Sequence, residues 1–146
     1  MTAHSLEPNK QTNGVILRRL EILETTLGDL RSLGAVSADQ LERDWRTRRA
    51  IERSLQVLVE IVLDVCQRII SLAGQSPAST GTEAVQRSIQ LGALSEFQPY
   101  GQMVQFRNFI VHRYERVDTA ILVDMVNQRL PNFERFRDEI LAYVQG

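Results

Sequence analysis

The chain has 146 residues, 43% of them apolar and 24% charged, with a formal net charge of -1. That length buries roughly 68–70% of the unfolded surface in one core and leaves no comfortable room for two. The near-neutral total excludes whole-molecule attraction to nucleic acid, so a polyanion would have to be held by a local cluster of charge. The single cysteine, Cys66, excludes an intrachain disulfide. No apolar stretch reaches the roughly 18 residues that span a bilayer, the best being broken by Glu60 and Asp64. The opening MTAHSLEPNKQTN lacks the basic-then-apolar pattern of a secretory signal, so a cytoplasmic protein without a membrane role is expected. Of the 17 basic residues only Lys10 is lysine, a bias toward the planar guanidinium fork that pairs with carboxylates and phosphates.

Residues 1–13 are polar and aperiodic and read as a flexible tail, with the folded domain expected over 14–146. Val15, Ile16, Leu20, Leu23, Leu27 and Leu30 recur at three- and four-residue steps, one stripe of an amphipathic helix that Gly34 would end. Ser37 and Gln40 have the spacing of a capping box and open a second helix whose apolar series runs from Leu41 to Leu72. At 1.5 Å per residue it would extend about 50 Å, more than a compact domain spans, so it must bend or protrude. The segment GQSPASTGT, residues 74–82, is a loop, followed by a short helix from about Glu83 to Leu91. Ser95 and Gln98 repeat the capping-box spacing and open a helix that tolerates Pro99 in its first turn and reaches the Val111–Tyr114 region. Asp118 caps the next helix, and Pro131 either kinks it or splits off a last segment bearing Phe133, Phe136, Ile140 and Leu141. No strand is expected. The fold class is all-α, an antiparallel bundle of four main helices plus a short one.

Imidazole chemistry at neutral pH falls to His112, since the other histidine, His4, lies in the tail. Around it the sequence reads FRNFIVHRYERVD. On a helix Arg107 and Tyr114 share one face and Asn108 and His112 a neighbouring one, with Phe106, Phe109 and Ile110 turned inward. A permanent cation beside a group that holds or releases a proton is the minimal equipment for cleaving an RNA phosphodiester. One histidine does one of the two proton transfers, so two copies across a homodimer would supply both base and acid. The plainer reading makes Arg107, His112 and Arg113 charges that meet the negative end of a helix dipole. Glu60 and Asp64 stand four apart on an apolar helix and require partners; Arg107 is one candidate, Arg68, Arg53 or a wet interface the others. Arg46, Arg49 and Arg53 lie on one helix face and fit either an RNA backbone or, because Glu42, Asp44 and Glu52 interleave them, a salt-bridged surface. No cysteine pair, Glu-x-x-His or glycine-rich phosphate loop is present, so neither metal nor cofactor is expected. Cys66, amid Val62, Val65 and Ile69, reads as core.

The stretches RRAIERSLQVLVEIVLDVCQRII and MVQFRNFIVHRYERVD resemble the long second helix and the signature of the HepT family of HEPN ribonuclease toxins, and the resemblance covers nearly the whole chain. The signature is Arg, four residues, His, any residue, Tyr, met by Arg107, His112 and Tyr114. The resemblance implies the toxin of a type VII toxin–antitoxin system, a metal-independent endoribonuclease with Arg107 and His112 catalytic at a dimer interface and Asn108 as the polar residue beside the arginine. It also implies a partner, a nucleotidyltransferase antitoxin of the MntA type, which would silence the toxin by transferring AMP to Tyr114. The signature does not encode which RNA is cut, tRNA included. The alternative within the same fold is a catalytically silent HEPN module that recruits a nucleotidyltransferase or its substrate.

Overall fold

The computed structural model describes residues 10–111 and 118–146, with side chains from 13 to 108 and from 118 onward. His112, Arg113 and Tyr114 lie outside the described residues, as do the side chains of Phe109 and Ile110. Helix α1, Lys10–Arg31, buries Ile16, Leu20, Leu23, Leu27 and Leu30, the stripe its periodicity dictates. It begins before Gly14, so the expected tail through residue 13 is too long: residues 10–13 are helical, and Gly14 sits inside the first turns facing open space. Gly34, at φ 69°, turns the chain after the helix as expected, a conformation that glycine adopts without strain.

Ser37 caps as its spacing predicts, its hydroxyl accepting the Gln40 N–H at 3.1 Å, but the helix it opens, α2, spans only Ala38–Arg43. The expected unbroken helix to residue 74 is interrupted at Asp44, whose backbone leaves helical geometry at φ -116° and ψ 87°. Its carboxylate accepts from the Thr47 N–H at 3.1 Å and the Thr47 hydroxyl at 2.7 Å, so a side chain that competes with the helix backbone ends one helix and caps the next. The break resolves the length conflict. Helix α3, Trp45–Leu72, runs about 42 Å as the spine of the bundle and buries Ile51, Leu55, Leu58, Val62, Val65, Cys66 and Ile69.

Helix α4, Gly81–Gln90, starts on a reciprocal cap, in which Thr80 accepts the Glu83 N–H and Glu83 accepts the Ser79 N–H, each at 3.1 Å. Helix α5, Tyr100–Val111, begins directly after Pro99. Ser95 is not its cap: the Ser95 N–H donates to Glu139 at 2.6 Å and its hydroxyl accepts from Arg135 at 3.0 Å, so long-range partners outbid the local one. Asp118 caps α6, Thr119–Asp124, through the Ala120 N–H at 2.8 Å. A single π turn, Met125–Arg129, then leads into α7, Leu130–Gln145. Of the two outcomes expected at Pro131 the second is found: the last segment, with Phe133, Phe136 and Ile140 buried, is a helix of its own. Pro131 sits in the first turn of α7, where the N–H it lacks would have no partner within that helix. The π turn also turns the Asn127 amide to the backbone of Val36, accepting from its N–H at 3.0 Å and donating to its C=O at 2.8 Å.

Among the described residues there is no strand, and the architecture is an all-helical bundle in which α1, α4 and α5 pack on α3 and α7 packs on α1. The start of α5 is fixed to α7. The Tyr100 hydroxyl donates to Glu139, its ring meets Phe136 edge-on at 5.6 Å, and the Arg135 guanidinium lies 5.8 Å from its ring centre. Burial, reinforced by the bond to Glu139, pushes the Tyr100 hydroxyl far above its ordinary value. Burial opposes ionisation of Glu139, yet the bonds from Tyr100 and Ser95, with Arg135 nearby, outweigh it and hold the carboxyl below the usual range. One residue on, Gly101 is pressed against Phe97, where an added Cβ would lie 2.1 Å from the ring.

Two glycines in helices should therefore respond with opposite signs to the same substitution. Gly28→Ala, in open space on α1, should stabilise by about 0.5–1 kcal/mol through helix propensity. Gly101→Ala should destabilise by about 1–3 kcal/mol through overpacking against Phe97. Chemical denaturation of the two variants checks both signs.

Candidate functional site

Three helices turn residues at helical spacing toward one open cleft of about 840 Å³. Arg19 and Ile22 come from α1; Glu60, Asp64 and Gln67 from α3; Val104, Arg107 and Asn108 from α5. The loop before α4 closes one side. Its Ala78 is held by Gln67, whose amide donates to the Ala78 C=O at 3.0 Å and accepts from its N–H at 2.9 Å. Arg87 ties the same loop down through the Ser76 C=O at 2.7 Å. The first residue of α4, Gly81, lies so close to α5 and α3 that a Cβ would meet Val104 at 2.9 Å and Leu63 at 3.2 Å. The cleft wall is thus tightly packed and the mouth is polar.

Arg107 is half-buried in this cleft, with Asn108 exposed beside it. The Arg107 Nε is buried and has no hydrogen-bond partner among the described residues. A guanidinium lining an open cleft is suited to offer its planar fork to the oxygens of an entering anion. The carboxylate expected to pair with it goes elsewhere. Asp64 is ion-paired with Arg19, whose Nε lies 3.0 Å from Oδ2, both side chains being about 44% and 43% exposed. That approach is close but not aligned as a hydrogen bond, so Asp64 Oδ2 keeps an open acceptor direction. Glu60 is exposed and accepts from the Gln56 amide at 3.2 Å. The register of α1 against α3 decides the pairing, because it sets Arg19 beside Asp64.

Arg46, Arg49 and Arg53 do not form the salt-bridged surface. All three are exposed and have no ion pair among the described residues. The acids around them are engaged by others: Arg48, itself only 6% exposed, lies 3.4 Å from both Glu42 and Glu52, and Asp44 caps α3.

Sequence reasoning missed Arg19 and Gln67. A carboxylate on an apolar face announces that it has a partner, but among sixteen arginines only helix packing selects Arg19. Gln67 carries no charge and no motif, and its role emerges only when the 74–80 loop folds over α3.

Other chemistry is limited by what surrounds it. Burial pushes the Cys66 thiol up to about 11, against a hydrogen bond with Ser88, which leaves it protonated and unreactive at neutral pH. Among the described residues no three His, Cys, Asp or Glu side chains gather where they could hold a metal ion. No described helix is long and apolar enough to cross a membrane.

The family model for HepT-like ribonucleases matches residues 16–140. The chain belongs to that family. Its fold is similar to a chain of a toxin–antitoxin crystal structure with AMP-PNP, at a TM-score of 0.78 and 19% identity over 88% of this chain and 98% of that one. It is equally similar to a tri-AMPylated HEPN toxin of Shewanella oneidensis bound to an MNT antitoxin, at a TM-score of 0.78 and 20% identity over 92% of this chain and 99% of that one. A mutant MntA–HpeT toxin–antitoxin complex gives a TM-score of 0.76 and 21% identity, covering 88% and 98% of the two chains. At these identities the likeness is one of fold. No curated protein matches the sequence.

Proposed function

We propose that this HepT-like chain is the toxin of a type VII toxin–antitoxin pair, a homodimeric, cytoplasmic endoribonuclease that cleaves RNA without a metal ion. The observation that carries this reading is Arg107, half-buried and lining an open cleft, five residues before His112 on the family signature. Arg107 would bind the scissile phosphate and stabilise the charge that grows on its oxygens as the pentacovalent phosphorane forms. His112 would take the proton of the 2′-OH as that oxygen attacks phosphorus. The bond from phosphorus to the 5′-oxygen then breaks, and the leaving oxygen takes a proton from the imidazolium of the second copy. The products are a cyclic 2′,3′-phosphate and a 5′-hydroxyl. Asn108, exposed at the cleft beside Arg107, would hydrogen-bond a phosphate oxygen or sugar hydroxyl. Asp64 and Glu60 would act in support, Asp64 through its pairing with Arg19.

The purified protein in EDTA should cleave RNA to cyclic 2′,3′-phosphate ends, and His112→Ala should lose about 10²–10⁴-fold in rate while remaining folded and dimeric. RNA left intact by the wild type, or cut equally by the alanine variant, would replace the enzyme with a catalytically silent binding module.

Control would act at Tyr114, two residues past His112. AMP transferred there from ATP, with release of pyrophosphate, puts bulk and negative phosphate beside Arg107 and His112, where it competes with the substrate phosphate for the same cations. The AMPylated state of the Shewanella oneidensis toxin, which shares this fold, supports that reading. A cognate MntA-type nucleotidyltransferase with ATP should therefore add whole multiples of AMP mass and abolish cleavage, and Tyr114→Phe should accept none; label that persists in the phenylalanine variant places the modification on another residue.

A further inference from the structure

Trp45, the only tryptophan of the chain, opens α3 with 64% of its surface exposed. Tryptophan is usually highly buried, and this ring has no core to enter. One observation accounts for part of its surface: the Arg46 guanidinium lies 5.2 Å from the ring centre. Arg46, Arg49 and Arg53 follow, all exposed and without ion pairs among the described residues. Among the described residues the other large exposed apolar side chains, Leu17, Leu33, Leu72 and Tyr143, lie on other elements or at the far end of α3.

The register of these residues gives them a direction. Positions 46, 49, 53, 60, 64 and 67 succeed one another by three, four or seven residues, so the free arginines occupy the same face of α3 as Glu60, Asp64 and Gln67, which line the cleft. From Arg46 to Glu60 this stripe runs about 21 Å along an uninterrupted helix. Of its two carboxylates Asp64 is paired with Arg19 and Glu60 accepts from the Gln56 amide, whereas Arg49 and Arg53 make no ion pair among the described residues and Arg46 rests over the Trp45 ring. A line of exposed guanidinium groups without ion pairs among the described residues, ending in an aromatic ring, matches a phosphodiester strand: cations follow the backbone, and the ring stacks on a base. Only an unpaired strand offers a free base face to a side chain at a surface, whereas in a duplex the bases are stacked on each other. A protein hot spot also favours Trp and Arg, but it sets them at the centre of a packed patch, not in a single file leading to a cleft.

We propose that Trp45, Arg46, Arg49 and Arg53 form a landing platform for single-stranded RNA, which α3 leads toward the Arg107 cleft. The platform rests on the ribonuclease reading for the destination of the strand, not for the binding itself. The test uses the wild-type protein and a single-stranded 2′-O-methyl oligonucleotide, which lacks the attacking hydroxyl and stays intact, with Trp45 fluorescence as the readout. The single strand should quench the emission saturably, and a duplex of the same sequence should quench it much less. Trp45→Ala should weaken binding, measured by anisotropy of a labelled strand, about 10-fold, with Trp45→Phe retaining most of the affinity. Replacing Arg46, Arg49 and Arg53 together by alanine should lower the slope of log K against log salt by about 2, from roughly 0.7 per lost phosphate contact on a single strand. Saturable binding that leaves the fluorescence and both variants unaffected overturns the platform while the ribonuclease reading stands. Quenching by poly-glutamate but not by RNA overturns it in favour of a protein-binding surface. Quenching by the strand in a protein that cuts no RNA upholds the platform and removes the enzyme.

Discussion

Helix α5 is clamped at one end and open to the cleft at the other, and the position of Arg107 follows from that constraint. At its start the Tyr100 hydroxyl is bonded to Glu139 of α7, the Tyr100 ring is packed on Phe136, and Gly101 is pressed on Phe97. A helix fixed so firmly at its first turn carries its later residues to set places, because the 1.5 Å rise and 100° rotation per residue leave little freedom. Val104 packs against the first residue of α4, and the next turn delivers Arg107 and Asn108 to the cleft. The bond between Tyr100 and Glu139 thus helps to fix the backbone that carries Arg107 to the cleft.

Charge is distributed on the same logic. The chain is nearly neutral, yet its carboxylates are not spread evenly among its arginines. Arg48 draws Glu42 and Glu52, Asp44 is spent on a helix cap, and Arg19 draws Asp64. Among the described residues, the arginines left without an ion pair include Arg46, Arg49 and Arg53 on one face of α3, and Arg107 in the cleft. Surface pairs between half-exposed side chains contribute little to stability, so their main effect here is to determine where positive potential survives.

Much of this was legible in the sequence, where a signal was local. The stripe of α1, the turn at Gly34, the caps at Ser37 and Asp118 and the buried setting of Cys66 depend on neighbours within a few residues. Asp44 was read as part of one continuous helix: aspartate is a residue type that caps helices, but the continuous apolar series around it spoke against a break. Ser95 failed in the opposite way: its spacing was right, and a partner 44 residues away claimed its N–H. The start of α1 at Lys10 and the π turn before Pro131 reflect backbone adjustments that no residue pattern announces. For the site, the spacing picked out Arg107 and Asn108, which the fold brings to one cleft with Glu60 and Asp64. The pairing of Asp64 with Arg19 was hidden, because it depends on how two helices far apart in sequence lie against each other.

The central claim is that the planar fork of Arg107, not its charge alone, serves the scissile phosphate. Arg107→Lys keeps the charge but loses the fixed pair of donors, and its half-buried setting should tolerate the shorter cation without loss of fold. Its rate of RNA cleavage, compared with wild type at matched thermal stability and dimer content, tests that claim most directly. The account predicts a fall of about 10²-fold with an unchanged melting temperature. Cleavage within a few-fold of wild type would contradict it.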